Sequence, residues 1–167
     1  SADGRYLFFK TSATNMVAGD TNNAADVFRR DLVTGAEVRV STTGVGAQIT
    51  QGVTSNFAIS ADGRYVAFAS LANNLTSGDS NGQGQAQDSN AALDVFVRDR
   101  QVSGSGAFDV PGNVATQMVS VNPFGYQTNG VLGSPSTAAS NIYPVISANG
   151  RFVAFPSDAE NTGGFAY

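Results

Sequence analysis

The chain contains no cysteine and no histidine. It therefore has no disulfide, no thiolate or imidazole ligand for zinc or haem, and no Ser-His-Asp or Cys-His nucleophile. Any catalysis would depend on carboxylates, tyrosine, the single lysine Lys10 or a bound hard metal ion. The lack of cysteine leaves the redox compartment open, because a cysteine-free chain folds equally well in either environment.

Charge is also scarce, at 13 % of residues against a usual share of roughly 25 %. The net charge is −4 and no basic run occurs, so we expect no nucleic-acid partner. No apolar run reaches the roughly 18 residues of a transmembrane helix, and we expect no direct membrane insertion. A surface hydrated by Ser, Thr, Asn, Gln and Gly is commoner outside the cytoplasm. We therefore expect an extracytoplasmic location, which includes secretion, the cell surface and the periplasm.

Repeats organise the chain, which at 41 % hydrophobic residues supports one globular domain over 1–167. The phrase Ser-Ala-Asp/Asn-Gly-Arg-Tyr/Phe occurs at 1–6, 60–65 and 147–152, and an apolar run follows each copy. A second phrase, rich in Asp, Asn and Ala and ending in an apolar run and Asp, occurs at 20–31 and 88–99. Self-similarity of this length predicts one supersecondary unit per repeat.

Each unit is predicted to form short β-strands. Asp-Gly or Asn-Gly between apolar runs is a strong hairpin signal, since the turn needs positive φ. No segment has a 3.6-residue period, so we expect essentially no helix. The predicted strands are 5–10, 26–31 and 36–41 in the first unit, 55–60, 64–70, 94–100 and 115–121 in the second, and 141–147 and 151–157 in the third.

The pattern of apolar residues along these predicted strands indicates a β-propeller. Strands 64–70 and 94–100 are apolar on both faces, whereas 36–41 alternates as an outer strand does. Radially stacked four-stranded antiparallel sheets are propeller blades, and known propellers close with about four to eight of them. The chain supplies about two and a half, a partial propeller. Its blade units are about 1–54, 55–140 and 141–167, with insertions at 79–87 and about 101–140.

The motifs also resemble a known family. Ser-Ala-Asp-Gly-Arg-Tyr-Val-Ala-Phe at 60–68, Asp-Val-Phe-Val-Arg-Asp at 94–99, Thr-Gly at 34–35 and Val-Arg-Val-Ser at 38–41 are similar to the WD-repeat-like propeller repeat of TolB. The resemblance covers nearly all of 1–100 and resumes at about 141–157. It implies a propeller fold. It leaves function open, because the family uses this blade for partner binding, for envelope complexes and beside hydrolase domains.

A D-x-N-x-x-x-D loop is the best candidate for chemistry. Calcium collects six to eight oxygens from carboxylates, amides and carbonyls, and such a loop offers them at alternating positions. The third side-chain ligand of known calcium loops is missing, because alanine stands at Ala24 and Ala92. The alternative is an Asx turn before a strand. The candidate ligands are Asp20, Asn22 and Asp26 in the first loop and Asp88, Asn90 and Asp94 in the second. Asp79 and Asn81 form a spare copy of the first half of the motif.

Two functions stay open at this point. No two carboxylates form a recognisable acid/base pair in the sequence, so we expect a non-enzymatic scaffold. Its partner would be a protein or polymer, or further blades or copies of the same protein. One version of this scaffold is a building block of a surface or fibre assembly whose exposed strand edges pair. The alternative is the propeller portion of a larger secreted hydrolase or lyase whose catalytic residues lie outside this chain. The turn phrase itself is interpreted as a hairpin, with its arginine extended along the strand.

Overall fold

The computed structural model describes residues 1–76, 93–121 and 143–157, in which there are nine β-strands and no helix. The all-β prediction is confirmed. Each predicted strand overlaps an observed one, although several observed strands are shorter. The strands are β1 (Tyr6–Thr11), β2 (Asp26–Asp31), β3 (Glu37–Arg39), β4 (Val53–Ile59), β5 (Tyr65–Ser70), β6 (Asp94–Asp99), β7 (Ala115–Met118), β8 (Val145–Ile146) and β9 (Val153–Ala154).

The strands form three small antiparallel sheets that follow the repeat units. Their orders are β1-β2-β3, β4-β5-β6-β7 and β8-β9. The register repeats with the sequence, since Phe9 is paired with Phe28 in the first sheet and Phe68 with Phe96 in the second. Both phenylalanine pairs stack, with ring centroids 5.9 and 6.1 Å apart. The pair β1-β2 is thus the repeat equivalent of β5-β6.

The repeated turn, Ser-Ala-Asp-Gly in the first two copies and Ser-Ala-Asn-Gly in the third, has the same hydrogen bonds in all three. In the second copy the Ser60 hydroxyl donates to Asp62 at 2.6 Å and accepts from the Tyr65 amide at 2.9 Å. The Arg64 amide donates to Asp62 at 2.9 Å, and Gly63 has φ +73°. Left-handed φ is accessible to glycine at little cost, which is why glycine recurs here. The first and third copies repeat these bonds.

Backbone hydrogen bonds join the three turns to one another. The amide of Ala2 donates to the carbonyl oxygen of Ala61 at 2.7 Å. The amide of Ala61 in turn donates to the carbonyl oxygen of Ala148 at 2.9 Å. The three alanines hold the same position in their turns. The turns therefore run side by side, and the three sheets follow one another in series.

Two apolar clusters fill the spaces between successive sheets. The larger lies between the first and second sheets and includes Val27, Val66, Phe68 and Phe96, all fully buried. The smaller lies between the second and third sheets, where Val95 of β6 belongs to the cluster that Val153 and Phe155 cover. The second sheet is therefore buried on both faces, as its doubly apolar strands predicted. Exposed apolar side chains occur in the outer sheets, where Leu7 is 49 % and Phe152 66 % exposed.

Candidate functional site

A cleft of about 790 Å³ lies beside the first two turns. Its walls come from both turns, from β1 and β2, and from residues 106–108 of the loop between β6 and β7. Ligand pockets usually measure roughly 300–1,000 Å³, so the cleft has room for a small molecule or a side chain of a partner. The lining side chains that carry charge or an aromatic ring are Asp3, Arg5, Tyr6, Arg29, Asp31, Asp62 and Phe108.

Asp109 anchors two arginines behind the cleft. Its carboxylate accepts from Nη2 of Arg29 at 2.9 Å, and from Nε and Nη2 of Arg100 at 2.9 and 2.6 Å. Burial raises the pKa of Asp109, but the hydrogen bonds and charges of the two guanidinium groups outweigh burial and leave the pKa lowered. The backbone of Asp109 is left-handed, with φ +62°. Asp109 is therefore held as an anion that orients both arginines.

Arg100 is fully buried and enclosed by aromatic rings. Its guanidinium carbon lies 4.6 Å from the centroid of Phe108, 5.2 Å from Phe8 and 5.5 Å from Tyr6. Nη1 donates to the carbonyl oxygen of Gly63 in the second turn. Cation–π contacts of this kind gain strength when water is excluded. Arg100 thereby fastens the loop that carries Phe108 to the first two sheets.

Arg29 is one of several buried residues whose hydrogen-bonding capacity is only partly used within the described ranges. Only 7 % of the residue is exposed, yet within the described chain its guanidinium makes a single hydrogen bond, from Nη2 to Asp109. Nε is buried without a partner. The guanidinium also lies 5.1 Å from the ring of Tyr6, which lines the same cleft.

A third buried arginine raises the positive charge of this region. Arg98 is 4 % exposed, and burial lowers its pKa to about 10. Its Nη1 donates to the Thr43 carbonyl at 2.6 Å and to the Thr116 hydroxyl at 3.0 Å, both of which are uncharged. Among the described residues no carboxylate lies within salt-bridge distance of Arg98.

The arginines of the repeat turns pair with the aspartate that ends the neighbouring strand. Arg64 donates from Nε and Nη2 to the two carboxylate oxygens of Asp99 at 2.9 and 2.8 Å. Arg5 makes the equivalent pair with Asp31 at 2.9 Å and holds the pKa of Asp31 down to about 2. Sequence reasoning placed these arginines along the strand and missed the pairing. The signal was present, because Arg and Asp recur together in both repeats.

The structure joins two of the three candidate calcium ligands of the first loop, Asn22 and Asp26, in a hydrogen-bonded turn, and Asp20 lies near them beside Arg39. Nδ2 of Asn22 donates to Asp26 at 3.0 Å, and Oδ1 of Asn22 accepts from the Ala24 amide at 3.1 Å, which is an Asx turn. Asp20 accepts from Nε2 of Gln48 at 2.8 Å. Asn22 and Asp26 are thus engaged with each other, and Asp20 is engaged with Gln48.

Arg39 supplies a positive charge to the same cluster. Its guanidinium lies 3.8 Å from Asp20 and 4.0 Å from Asp26. Asp26 also accepts from the Ser41 hydroxyl at 2.6 Å, while burial raises its pKa. A calcium ion here would compete with Arg39, and no group of three or more His, Cys, Asp or Glu side chains suited to a metal occurs in the described part of the chain. The calcium site stays a prediction.

The second predicted loop is described only at its end. Asp94 is fully buried and accepts from the Ser120 hydroxyl, as Asp26 does from Ser41. This correspondence extends the repeat from the strands to the buried polar contacts behind them. The remaining candidates, Asp88, Asn90, Asp79 and Asn81, lie outside the described residues.

No protein-family model, curated protein or solved structure matches the chain. The geometry alone defines its class, as an all-β repeat protein of small antiparallel sheets with a cleft, lined by charged and aromatic side chains, beside two of its turns. Over 1–76, 93–121 and 143–157 there is no helix of the length and apolarity needed to cross a membrane.

Proposed function

We propose that this chain is a non-enzymatic β-propeller scaffold that works outside the cytoplasm and binds a protein or a polymer. The observation that carries the proposal is the line of backbone hydrogen bonds from Ala2 to Ala61 to Ala148. It sets equivalent turns of successive sheets side by side, as equivalent turns of adjacent blades would lie around a propeller. The similarity of the motifs to the TolB repeat supports the same arrangement.

The proposed propeller is partial, and further sheets complete it. The first sheet has three strands where the second has four, because β1 is the equivalent of β5 and no described strand corresponds to β4. Burying apolar surface is worth roughly 25 cal/mol per Å², so the exposed face at Leu7 favours a covering sheet. Further blades of a longer polypeptide, or other copies of this chain, would supply that cover and could build a surface or fibre assembly.

A binding role, in preference to a catalytic one, is supported by the arginine partners of three aspartates near the cleft. The carboxylates of Asp31, Asp99 and Asp109 each accept hydrogen bonds from an arginine, which suits orientation and stability rather than proton transfer. Calcium at the loops that begin with Asp20 and Asp88 belongs to the proposal as a stabiliser. The weakly charged, Asn- and Thr-rich surface supports the extracytoplasmic location.

The experiment measures ligand binding and catalytic turnover in parallel on the full chain. The chain is immobilised and screened by surface plasmon resonance against purified polysaccharides and envelope proteins, and is assayed in parallel with chromogenic esters, glycosides, peptides and uronate polymers. Saturable binding without turnover of any substrate is expected. Turnover above the protein-free blank would support the alternative, in which the chain belongs to a secreted hydrolase or lyase. Absence of saturable binding to any panel member would contradict the scaffold.

A further inference from the structure

The row of three turns ends in a free acceptor on one side and a free donor on the other. The amide of Ala2 donates to Ala61 and the amide of Ala61 donates to Ala148, so each turn donates to the next. Among the described residues, the carbonyl oxygen of Ala2 accepts no backbone hydrogen bond and the amide of Ala148 donates none. Both alanines are exposed. The first turn therefore holds the acceptor, and the third turn the donor, of one further junction of the same kind.

In both junctions an aromatic ring of one repeat lies against the glycine of the next turn. Phe8 of β1 lies beside Gly63, where an added Cβ would be 3.2 Å from the ring. Tyr65 of β5 lies so close to Gly150 that an added Cβ would overlap its ring. Glycine therefore serves two purposes at these positions, because it adopts positive φ and leaves room for a ring of the preceding repeat.

The same two groups are uncovered at the ends of the row. Phe152 holds in the third repeat the position that Tyr65 holds in the second, and it is 66 % exposed. Gly4 holds in the first turn the position of Gly63 and Gly150, and no described atom lies within 4 Å of a Cβ added there. The third turn thus presents a ring without a glycine to cover, and the first turn presents a glycine without a ring.

The apolar faces of the two end sheets correspond in the same way. Leu7 of β1 is exposed, whereas its repeat equivalent Val66 is fully buried between the first two sheets. In the third sheet Val153 packs toward the second sheet. Val145 pairs with Ala154, the residue after Val153, so it lies on the opposite face, where it is 59 % exposed. Each end sheet therefore turns exposed apolar side chains away from the rest of the chain, as interfaces do.

We infer that copies of this chain join end to end, the third turn of one copy docking on the first turn of another. The amide of Ala148 then donates to the carbonyl oxygen of Ala2 in the second copy, and Phe152 covers Gly4 there. A second copy is the partner that the structure favours, because the groups uncovered at one end match those uncovered at the other. Such a contact between two different surfaces generates a closed ring or a continuing fibre.

The inference rests on the proposed function in treating the repeats as blades that continue beyond the described sheets. Its test contains no protein or polymer partner. Self-association can therefore fail while binding to a partner succeeds, and the reverse, so the two results are read separately.

Sedimentation velocity of the full chain from about 1 to about 100 μM tests the inference. The average mass should rise with concentration above the 17.2 kDa of one chain. Gly4→Asn fills the space over the first turn, and asparagine tolerates left-handed backbone, so association should weaken about tenfold or more. Gly35→Asn is the matched control, because Gly35 has φ +74° and equally open surroundings in the turn between β2 and β3. It should leave the affinity within about twofold.

Mixing two blocked variants separates end-to-end docking from other kinds of self-association. Phe152→Ser alters the third turn alone, and Gly4→Asn alters the first turn alone. Each variant by itself should stay largely monomeric, whereas an equimolar mixture should form a dimer and nothing larger, because one intact pair of surfaces remains. If Gly4→Asn does not fold by circular dichroism, Leu7→Ser alters the same end and takes its place. A chain that is monomeric up to about 100 μM, association unchanged in the variants, or a mixture that forms no dimer would overturn the inference.

Discussion

Ala61 donates its backbone N–H to the carbonyl oxygen of Ala148 at 2.9 Å, although the two alanines belong to different repeats. Each holds the second position of a turn that is closed by a glycine amide donating to a serine carbonyl. One short motif thus does two things, because it reverses the chain within a sheet and joins that sheet to the next.

Removing the hydrogen bond between these turns should loosen the third sheet. Proline is favoured at the second position of such a turn, so Ala61→Pro keeps the turn and deletes the N–H. Net loss of one hydrogen bond costs about 0.5–1.5 kcal/mol. Ala148→Pro is the matched control, since its amide donates to no described residue. Urea unfolding should show a lower free energy of unfolding for Ala61→Pro than for Ala148→Pro, and equal values would count against the role of this bond.

The buried carboxylate should matter far more than a surface one. Asp109→Asn leaves Arg29 and Arg100 without their anion, and breaking a buried ion pair in this way costs about 3–5 kcal/mol. Glu37→Gln removes the partner of the exposed Arg30 and should cost about 0–1 kcal/mol. Both free energies come from urea unfolding at pH 7. Similar small losses in the two variants would show that the Asp109 cluster does not hold the loop in place.

The repeated motifs made the nine strands and the turns predictable, because Asp-Gly beside an apolar run indicates a hairpin turn from neighbouring residues alone. The Asp109 cluster was not predictable in this way. Arg29 lies in a strand whose other copy has Val97 at that position, and Asp109 lies within the predicted insertion. Nothing local distinguishes such a buried pair from surface charges. The same limit applies at Asp20, whose partners Gln48 and Arg39 come from distant positions in the chain.

Acid should weaken the fold between about pH 4 and pH 2. The pKa of Asp31 is lowered to about 2 by Arg5, against about 3.9 in an unfolded chain. A lowered carboxyl pKa stabilises the folded state above the unfolded value, and this stability is lost as the pH falls through the folded value. Asp109 acts in the same direction. Asp26 opposes it, because its raised pKa makes protonation favour the folded state.

Melting temperatures measured from pH 7 to pH 2 test this assignment. In Arg5→Gln the pKa of Asp31 moves up toward the unfolded value, so the melting temperature should fall less steeply below pH 4 than in the unaltered chain. Arg30→Gln removes an equal charge from the opposite face of β2, where Arg30 pairs with Glu37, and should keep the original slope. Identical slopes in all three proteins would show that the Arg5 pair does not contribute to acid sensitivity.

Calcium, if the loop at Asp20 binds it, should raise the melting temperature, and EDTA should lower it. The ion would have to draw oxygens of Asp20, Asn22 and Asp26 to about 2.3–2.6 Å. Arg39→Gln removes the competing guanidinium and should tighten calcium binding. Differential scanning fluorimetry of both proteins, with calcium and with EDTA, decides the matter. Melting temperatures that neither addition changes would establish the Asx turn as the whole role of this loop.

A crystal structure of the full polypeptide tests the central claim, that the repeats are blades around one axis. The rotation that superposes β1-β2-β3 on β5-β6-β7 is compared with the rotation that superposes β4-β5 on β8-β9. The account predicts one shared axis and equal rotations of about 45–90°, the values for eight to four blades. Successive sheets related mainly by translation, or by rotations about different axes, would contradict it.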